Sequence, residues 1–214
     1  EYVFNDINRN QSFKFFSGSL SSNSEVWWYY CSASSDEIDR YVIYNYLEQV
    51  WYYGTLTRTA WNDRGAGNRL FPQAPGTDGA LYNHENGLDD GSVNPPVAVN
   101  AFVQSADFDI GDGQQFMLIN RILPDLNFGQ STATEPEVKF TMGARNFSGS
   151  VAGQGSASGD VIRTSVVSGK DNYTKQLHMR LRGRQMNLKI ESDTTGVKWR
   201  LGAPRLDMRP DGRR

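Results

Sequence analysis

The chain has 214 residues, of which 21% are charged and 12% aromatic, with a net charge of −2. That length suits one large domain or two small ones with a self-sufficient core, and the mix excludes a disordered chain or a coiled coil. A lone cysteine, Cys31, excludes an intrachain disulfide and a cysteine metal cage, the two histidines lie far apart, and no apolar run approaches the roughly 20 residues of a membrane helix.

The charge is unevenly spread. From Lys175 onward there are eleven Lys/Arg against four Asp/Glu, a balance of +7, while the rest carries eleven against twenty, a balance of −9. Such polarity predicts either surfaces that dock head to tail or a nucleic-acid face; a solvated basic last sheet is the plainer alternative. The sequence opens without Met or a secretory signal, which predicts an excised or processed chain. With a free thiol, that predicts an intracellular origin.

In chain order the grammar is β. Glu1–Phe4 reads as a strand. Phe13–Leu20, Glu25–Ser32, Arg40–Leu47 and Gln49–Leu56 follow, rich in Val, Ile, Tyr and Trp and bounded by Gly, Asn, Asp and Ser. Glu25-Val-Trp-x-Tyr29 recurs as Gln49-Val-Trp-x-Tyr53. Aromatic strands alternating in this way suit a β-propeller blade, and an ordinary meander would look the same. Most of these aromatics, Trp51 among them, are expected to be buried between blades; a sugar-stacking platform is the alternative. Residues 65–96 are rich in Gly and Pro, with one hairpin expected between Leu70-Phe71 and Leu81-Tyr82 around Thr77-Asp78-Gly79. Then come Val97–Phe108, Gln115–Leu123, Glu137–Arg145, Val161–Val167, Lys175–Arg182, Gln185–Glu191 and Val197–Asp207. His178, Arg180 and Arg182 alternate with Leu177, Met179 and Leu181, giving one basic and one core face. Ser148–Gly159 reads as a mobile low-complexity loop. The whole predicts an all-β chain: a propeller-blade-like region over 1–64, a loop-rich bridge over 65–96 and an antiparallel β-sandwich with a basic C-terminus over 97–214.

Little in the sequence points to catalysis. Asp107, Asp109 and Asp112 sit on a Gly-containing turn where oxygen ligands could gather for Ca²⁺, yet the spacing misses the EF-hand pattern; strand-end polar residues are the plainer reading. A glycosidase acid pair needs carboxyls facing each other across a cleft, which neighbours on one strand seldom achieve. His84-Glu85 would point to opposite faces of a strand, and Cys31 lies in an aromatic strand as a buried thiol. No nucleotide loop or nucleophile elbow is present. The expectation is a protein with no enzymatic activity, no cofactor and no metal.

Glu25–Tyr30, Asp39–Glu48, Trp51–Leu56, Arg58-Thr-Ala-Trp61, Leu81–Glu85, Asp107–Gly113, Arg182-Gly-Arg-Gln185, Trp199-Arg-Leu-Gly202 and the terminus Arg205–Arg214 together resemble the head–tail hub and tail-nozzle proteins of short-tailed bacteriophages, including the packaged-DNA stabilisation proteins. The resemblance covers most of the chain. It implies a non-enzymatic virion protein of the tail, assembled in the bacterial cytoplasm. It also implies a ring of copies, a hexamer, that meets the adaptor or portal and the tail fibres or spikes and lets duplex DNA pass, with no membrane partner. An acidic interior would let DNA pass without sticking. Arg205, Arg209, Arg213 and Arg214 are expected to contact an acidic neighbouring subunit rather than DNA, because no aromatic interleaves them and no reading helix accompanies them. Removing Met208–Arg214 is expected to block assembly and leave the monomer folded. A carbohydrate-binding β module, using exposed aromatics, and a glycoside hydrolase fragment are the rival readings.

Overall fold

The structure is a computed structural model and describes residues 2–65, 70–149, 161–169 and 173–212. The chain is all-β and divides into two compact units, Glu1–Gly87 and Leu88–Arg214. The loop-rich stretch 65–96 is thereby shared between them.

The first unit opens with helix α1 (Tyr2–Asp6) where a strand was expected. Five residues carry almost no helical signal of their own. Tertiary contacts hold them: the Tyr2 ring lies 4.2 Å from that of Tyr53, and Asp6 Oδ2 accepts from Arg40 Nε at 3.3 Å. A 3-10 segment, Arg9–Lys14, follows, its first turn capped by the Asn8 side chain accepting from the Asn10 backbone N–H. Then β1 (Phe16–Leu20), β2 (Glu25–Tyr30), β3 (Arg40–Asn45) and β4 (Val50–Thr55) form an antiparallel up-and-down meander in the order β1-β2-β3-β4. Asn45 fixes the β3–β4 turn, its Oδ1 accepting from the Leu47 and Glu48 amides. The expected hairpin exists but begins later, as β5 (Gln73–Pro75) against β6 (Leu81–Asn83). Gly79 closes its turn at φ 81°, a conformation open to glycine.

The second unit contains β7 (Asp89–Asp90), β8 (Val97–Ala98), β9 (Ala101–Gln104), β10 (Phe108–Asp109), β11 (Met117–Leu123), β12 (Leu126–Asn127), β13 (Glu137–Arg145), β14 (Val161–Ser168), β15 (Leu177–Gly183), β16 (Gln185–Ser192), β17 (Arg200–Leu201) and β18 (Arg205–Pro210). One sheet runs β10-β16-β13-β14, with β9 also on β16, and a second runs β15-β11-β18. Alternation builds the core between them, interrupted in β11 by a bulge between Ile119 and Arg121. Val138, Phe140 and Met142 from β13, Met186, Leu188 and Ile190 from β16, Met117, Ile119 and Ile122 from β11, and Leu177, Met179 and Leu181 from β15 share one buried cluster. This is a sandwich in which each sheet covers the other. The chain steps between sheets at Gly183-Arg184, where the Arg184 amide donates to the Arg145 carbonyl at 2.7 Å. A Cβ on Gly183 would stand 3.0 Å from Ala144 Cβ, so a glycine suits the corner.

Two expected strands are broken. Val97–Phe108 becomes β8, β9 and β10, with Ser105 Oγ accepting the Leu188 amide at 3.0 Å between the last two. Val197–Asp207 is split by Gly202-Ala203-Pro204, where Asp125 accepts both the Gly202 amide, through its carbonyl, and the Ala203 amide, through Oδ2. The loop expected over Ser148–Gly159 lies, from residue 150 on, outside the described residues. Among the described residues no helix is long and apolar enough to cross a membrane.

Candidate functional site

The meander of the first unit is aromatic on both faces, and the two faces fare differently. Register sets Phe16, Gly18, Trp27, Tyr29, Tyr41 and Ile43 on one face. Trp61 covers it. Its ring stacks on Trp27 at 5.4 Å, and its Nε1 donates to the Ser19 carbonyl at 2.8 Å. It sits over Gly18 so closely that any Cβ there would collide with the indole. Behind Trp61 lies a polar node. The His84 ring is 4.9 Å away, His84 Nε2 accepts from Arg58 Nε at 2.9 Å, and the Arg58 guanidinium lies 4.3 Å from the Tyr82 ring centre. Arg58 is buried. Burial, reinforced by the Arg58 charge, pushes the His84 pKa down to about 4, so its imidazole is a neutral acceptor at pH 7. Burial also raises the Tyr29 phenol well above its usual value, the Arg58 charge opposing the rise.

The His84 amide donates to the Pro72 carbonyl, but the ring's partner is Arg58, 26 residues away. Neither Arg58 nor Trp61 stands in a periodic pattern; nothing short-range in the sequence announces the node.

The opposite face carries Val26, Trp28, Tyr30, Val42, Tyr44, Trp51 and Tyr53. Helix α1 and Phe15 cover only part of it, the Phe15 and Tyr30 rings meeting edge-on at 6.5 Å. The rest is open. Trp51 and Tyr53 are each 62% exposed and Trp28 41%, so the expectation that Trp51 is buried is corrected. A β strand at the end of a single sheet has no second layer to cover it, whatever its composition. Trp51 stacks on Trp28 at 5.9 Å and leans on Tyr44 at 4.6 Å, so the exposed rings form one continuous platform. Between this platform and α1 runs an apolar groove of about 510 Å³, lined by Val3, Phe4, Ile7, Phe15, Trp28 and Trp51 among others. The Tyr30 hydroxyl, on this face, is buried with no hydrogen-bond partner among the described residues.

In the second unit the outer face of β15-β11-β18 is basic, as the alternation of His178, Arg180 and Arg182 predicts. Register adds Arg121 from the central strand and Arg205 and Arg209 from β18. Arg121 pairs with Asp207 at 3.0 Å and Arg182 with Asp211 at 2.6 Å. Arg182 also lies over the Phe116 ring at 3.9 Å. Of the four arginines expected at an assembly contact, Arg205 and Arg209 are exposed here, and Arg213 and Arg214 lie outside the described residues.

Asp107, Asp109 and Asp112 do not converge on a cation. Asp107 pairs with Arg145 Nη1 at 2.7 Å and accepts from Asn187 Nδ2 at 2.8 Å, tying β10 to its sheet. Asp112 is in a turn at φ 59°. Among the described residues no group of three His, Cys, Asp or Glu could hold a metal ion. Cys31 is fully buried, and that burial raises its thiol, which suits an inert packing residue.

No family model matches the chain, and no curated protein is similar to it.

Proposed function

We propose that the protein is a structural, non-enzymatic subunit of the tail hub or nozzle of a short-tailed bacteriophage, assembling as a ring that retains and conducts genomic DNA. The resemblance of its aromatic strands and C-terminus to that family gives the biological setting. The observation that carries the assembling role is the open aromatic face of the first unit. A continuous platform of Trp28, Trp51 and Tyr44, with the exposed Tyr53 next along β4, beside an apolar groove is the kind of surface a chain leaves uncovered for a partner. An up-and-down four-stranded meander is also the topology of a propeller blade, and blades bury such faces against each other. The partners in this reading are other copies in a ring, hexameric by resemblance, the adaptor or portal, and the fibres or spikes, with duplex DNA in transit. The site is the virion tail.

Negative-stain electron microscopy of the purified chain tests this. Closed rings with an opening wide enough for a duplex are expected. Dispersed monomers at every concentration would contradict it. One observation favours a second reading: the exposed Trp28–Trp51 pair is also a surface on which a sugar ring can stack. Glycan-array binding lost in Trp28→Ala would replace the tail assignment with a carbohydrate-binding module.

A further inference from the structure

The outer face of the three-stranded sheet holds cations whose charge the chain leaves unanswered. Arg180, Arg205 and Arg209 are exposed, and none forms an ion pair among the described residues. Their neighbours Arg121 and Arg182 are matched, by Asp207 and Asp211. The free charges are therefore spaced around two neutralised pairs. Arg205 and Arg209 lie about 13 Å apart along β18, at the rise of an extended strand. Among the described residues that strand is the sheet's edge, pairing with β11 alone.

The first unit holds the complementary feature. It carries ten acidic residues against six basic, and three of the acids gather at one end of the meander. Glu25 begins β2 opposite Asn45, and Glu48 stands in the turn that Asn45 caps. Glu85 follows the β5–β6 hairpin. Burial raises the Glu25 carboxyl above its usual value, and the charges of Glu85 and Glu48 add to the rise, although Trp27 Nε1 donates to Glu25 at 3.0 Å. Glu25 therefore lies within reach of both other charges: Glu48 through the shared strand end, and Glu85 through the Trp27–Trp61–His84 ring contacts. Tyr52 donates to Glu48, but no cation pairs with Glu48 or Glu85 among the described residues.

We infer that the Arg180–Arg205–Arg209 face of one copy docks on the Glu25–Glu48–Glu85 cluster of another. This rests on the assembling role proposed above and names its contact. Two different patches on one chain make a heterologous contact, the kind that closes into a ring when the rotation permits. Exposed ion pairs contribute little affinity each; here they set orientation and register. An acidic protein surface is favoured over nucleic acid because Asp207 and Asp211 cancel two of the face's arginines, and the three left over supply few of the phosphate contacts that make duplex binding tight.

The test uses two full-length variants, Arg205→Glu/Arg209→Glu and Glu48→Lys/Glu85→Lys, followed by sedimentation velocity alone and mixed. All four positions are exposed, so both variants are expected to keep the wild-type circular dichroism. Wild-type association should weaken as salt rises from about 0.05 to 0.5 M. Each variant alone should associate at least about tenfold more weakly, because like charges then meet. Mixing the two lets the introduced glutamates meet the introduced lysines and should restore much of the association. Wild-type association matched by both variants alone would overturn the inference and leave the assembling role standing on another face. A wild-type chain that never associates would overturn both. Sub-micromolar duplex DNA binding lost in Arg205→Glu/Arg209→Glu, with association intact, would overturn the inference and assign the face to nucleic acid.

Discussion

The two units solve the same problem with different means. The first holds four of the five tryptophans and nine of the ten tyrosines, and all five methionines lie in the second. The second folds two sheets over each other, so the inner faces of β11, β13, β15 and β16 disappear into one core of Met, Leu, Ile and Val with Phe140 at its centre. The first has one main sheet with two apolar faces. Trp61 and its neighbours cover one face, and α1 covers only part of the other. A sandwich satisfies itself; a lone sheet with two aromatic faces does not. The open area on the first unit follows from architecture rather than from any local defect, and it puts the proposed interaction surface where the folding problem is unfinished.

The sharpest way to break this contrast is to cut into each core and compare. Phe140 is fully buried between the sheets, and Phe140→Ala should cost about 3–5 kcal/mol. Trp199, packed against that core and the second unit's one tryptophan, reports the loss by fluorescence during urea unfolding. A midpoint unchanged at Trp199 would mean that the sheets do not share a core. In the first unit the corresponding weak point is a glycine. Gly18→Ala drives a methyl into the Trp61 indole and should cost about 1–3 kcal/mol. Trp61→Leu in the same chain should recover part of that cost; strictly additive losses would show that Trp61 does not press on Gly18.

Acid separates the units next. The His84 pKa lies near 4 in the folded state, against about 6.5 when exposed. Above pH 6.5 both states hold a neutral imidazole and nothing is lost. As pH falls below 6.5 the unfolded chain takes up a proton that the folded site refuses, so stability declines toward pH 4. After discounting partial exposure, the loss is on the order of 1–2 kcal/mol. It should be confined to the first unit and absent in His84→Gln. Equal acid sensitivity in that variant would remove His84 from the account.

The smallest effect is expected where the sequence alone predicts one of the largest. Trp51, read as buried, should tolerate alanine at a cost below about 1 kcal/mol in the dissociated chain, because most of its side chain is already in water. A loss of about 3–5 kcal/mol in that form would show it to be a core residue after all.

That reversal marks the boundary of what the sequence makes legible. Leu177, Met179 and Leu181 alternate with His178, Arg180 and Arg182, and a period of two assigns each to its face without further information. Glu137–Arg145 was legible for the same reason. Glu25–Tyr30 and Val50–Thr55 are apolar at nearly every position, so their strands could be found but their covered faces could not; coverage is decided by Trp61 and α1, distant in sequence. Helix α1 is too short for any periodic signal. The Arg58–His84 pair joins two loops. At the C-terminus the expected strand stops at Asp207, whereas β18 runs on to Pro210 and carries Arg209 as well as Arg205. Met208, Arg209 and Pro210 pair with β11, Asp211 and Gly212 bond Phe116, and Asp211 holds Arg182. Removing Met208–Arg214 would therefore disrupt the sheet itself, contrary to the expectation of an intact monomer, and point substitutions are the sounder probe of assembly.

On the proposal above, the open aromatic face of the first unit is an assembly surface. Light scattering of the eluting full-length chain measures it most directly, comparing wild type with Trp28→Ser/Trp51→Ser at the same loading. The wild type should run as a closed multimer and the variant as a monomer with unchanged Trp199 emission and unfolding midpoint. A multimer of equal mass in both, or a wild-type monomer at every loading, would contradict it.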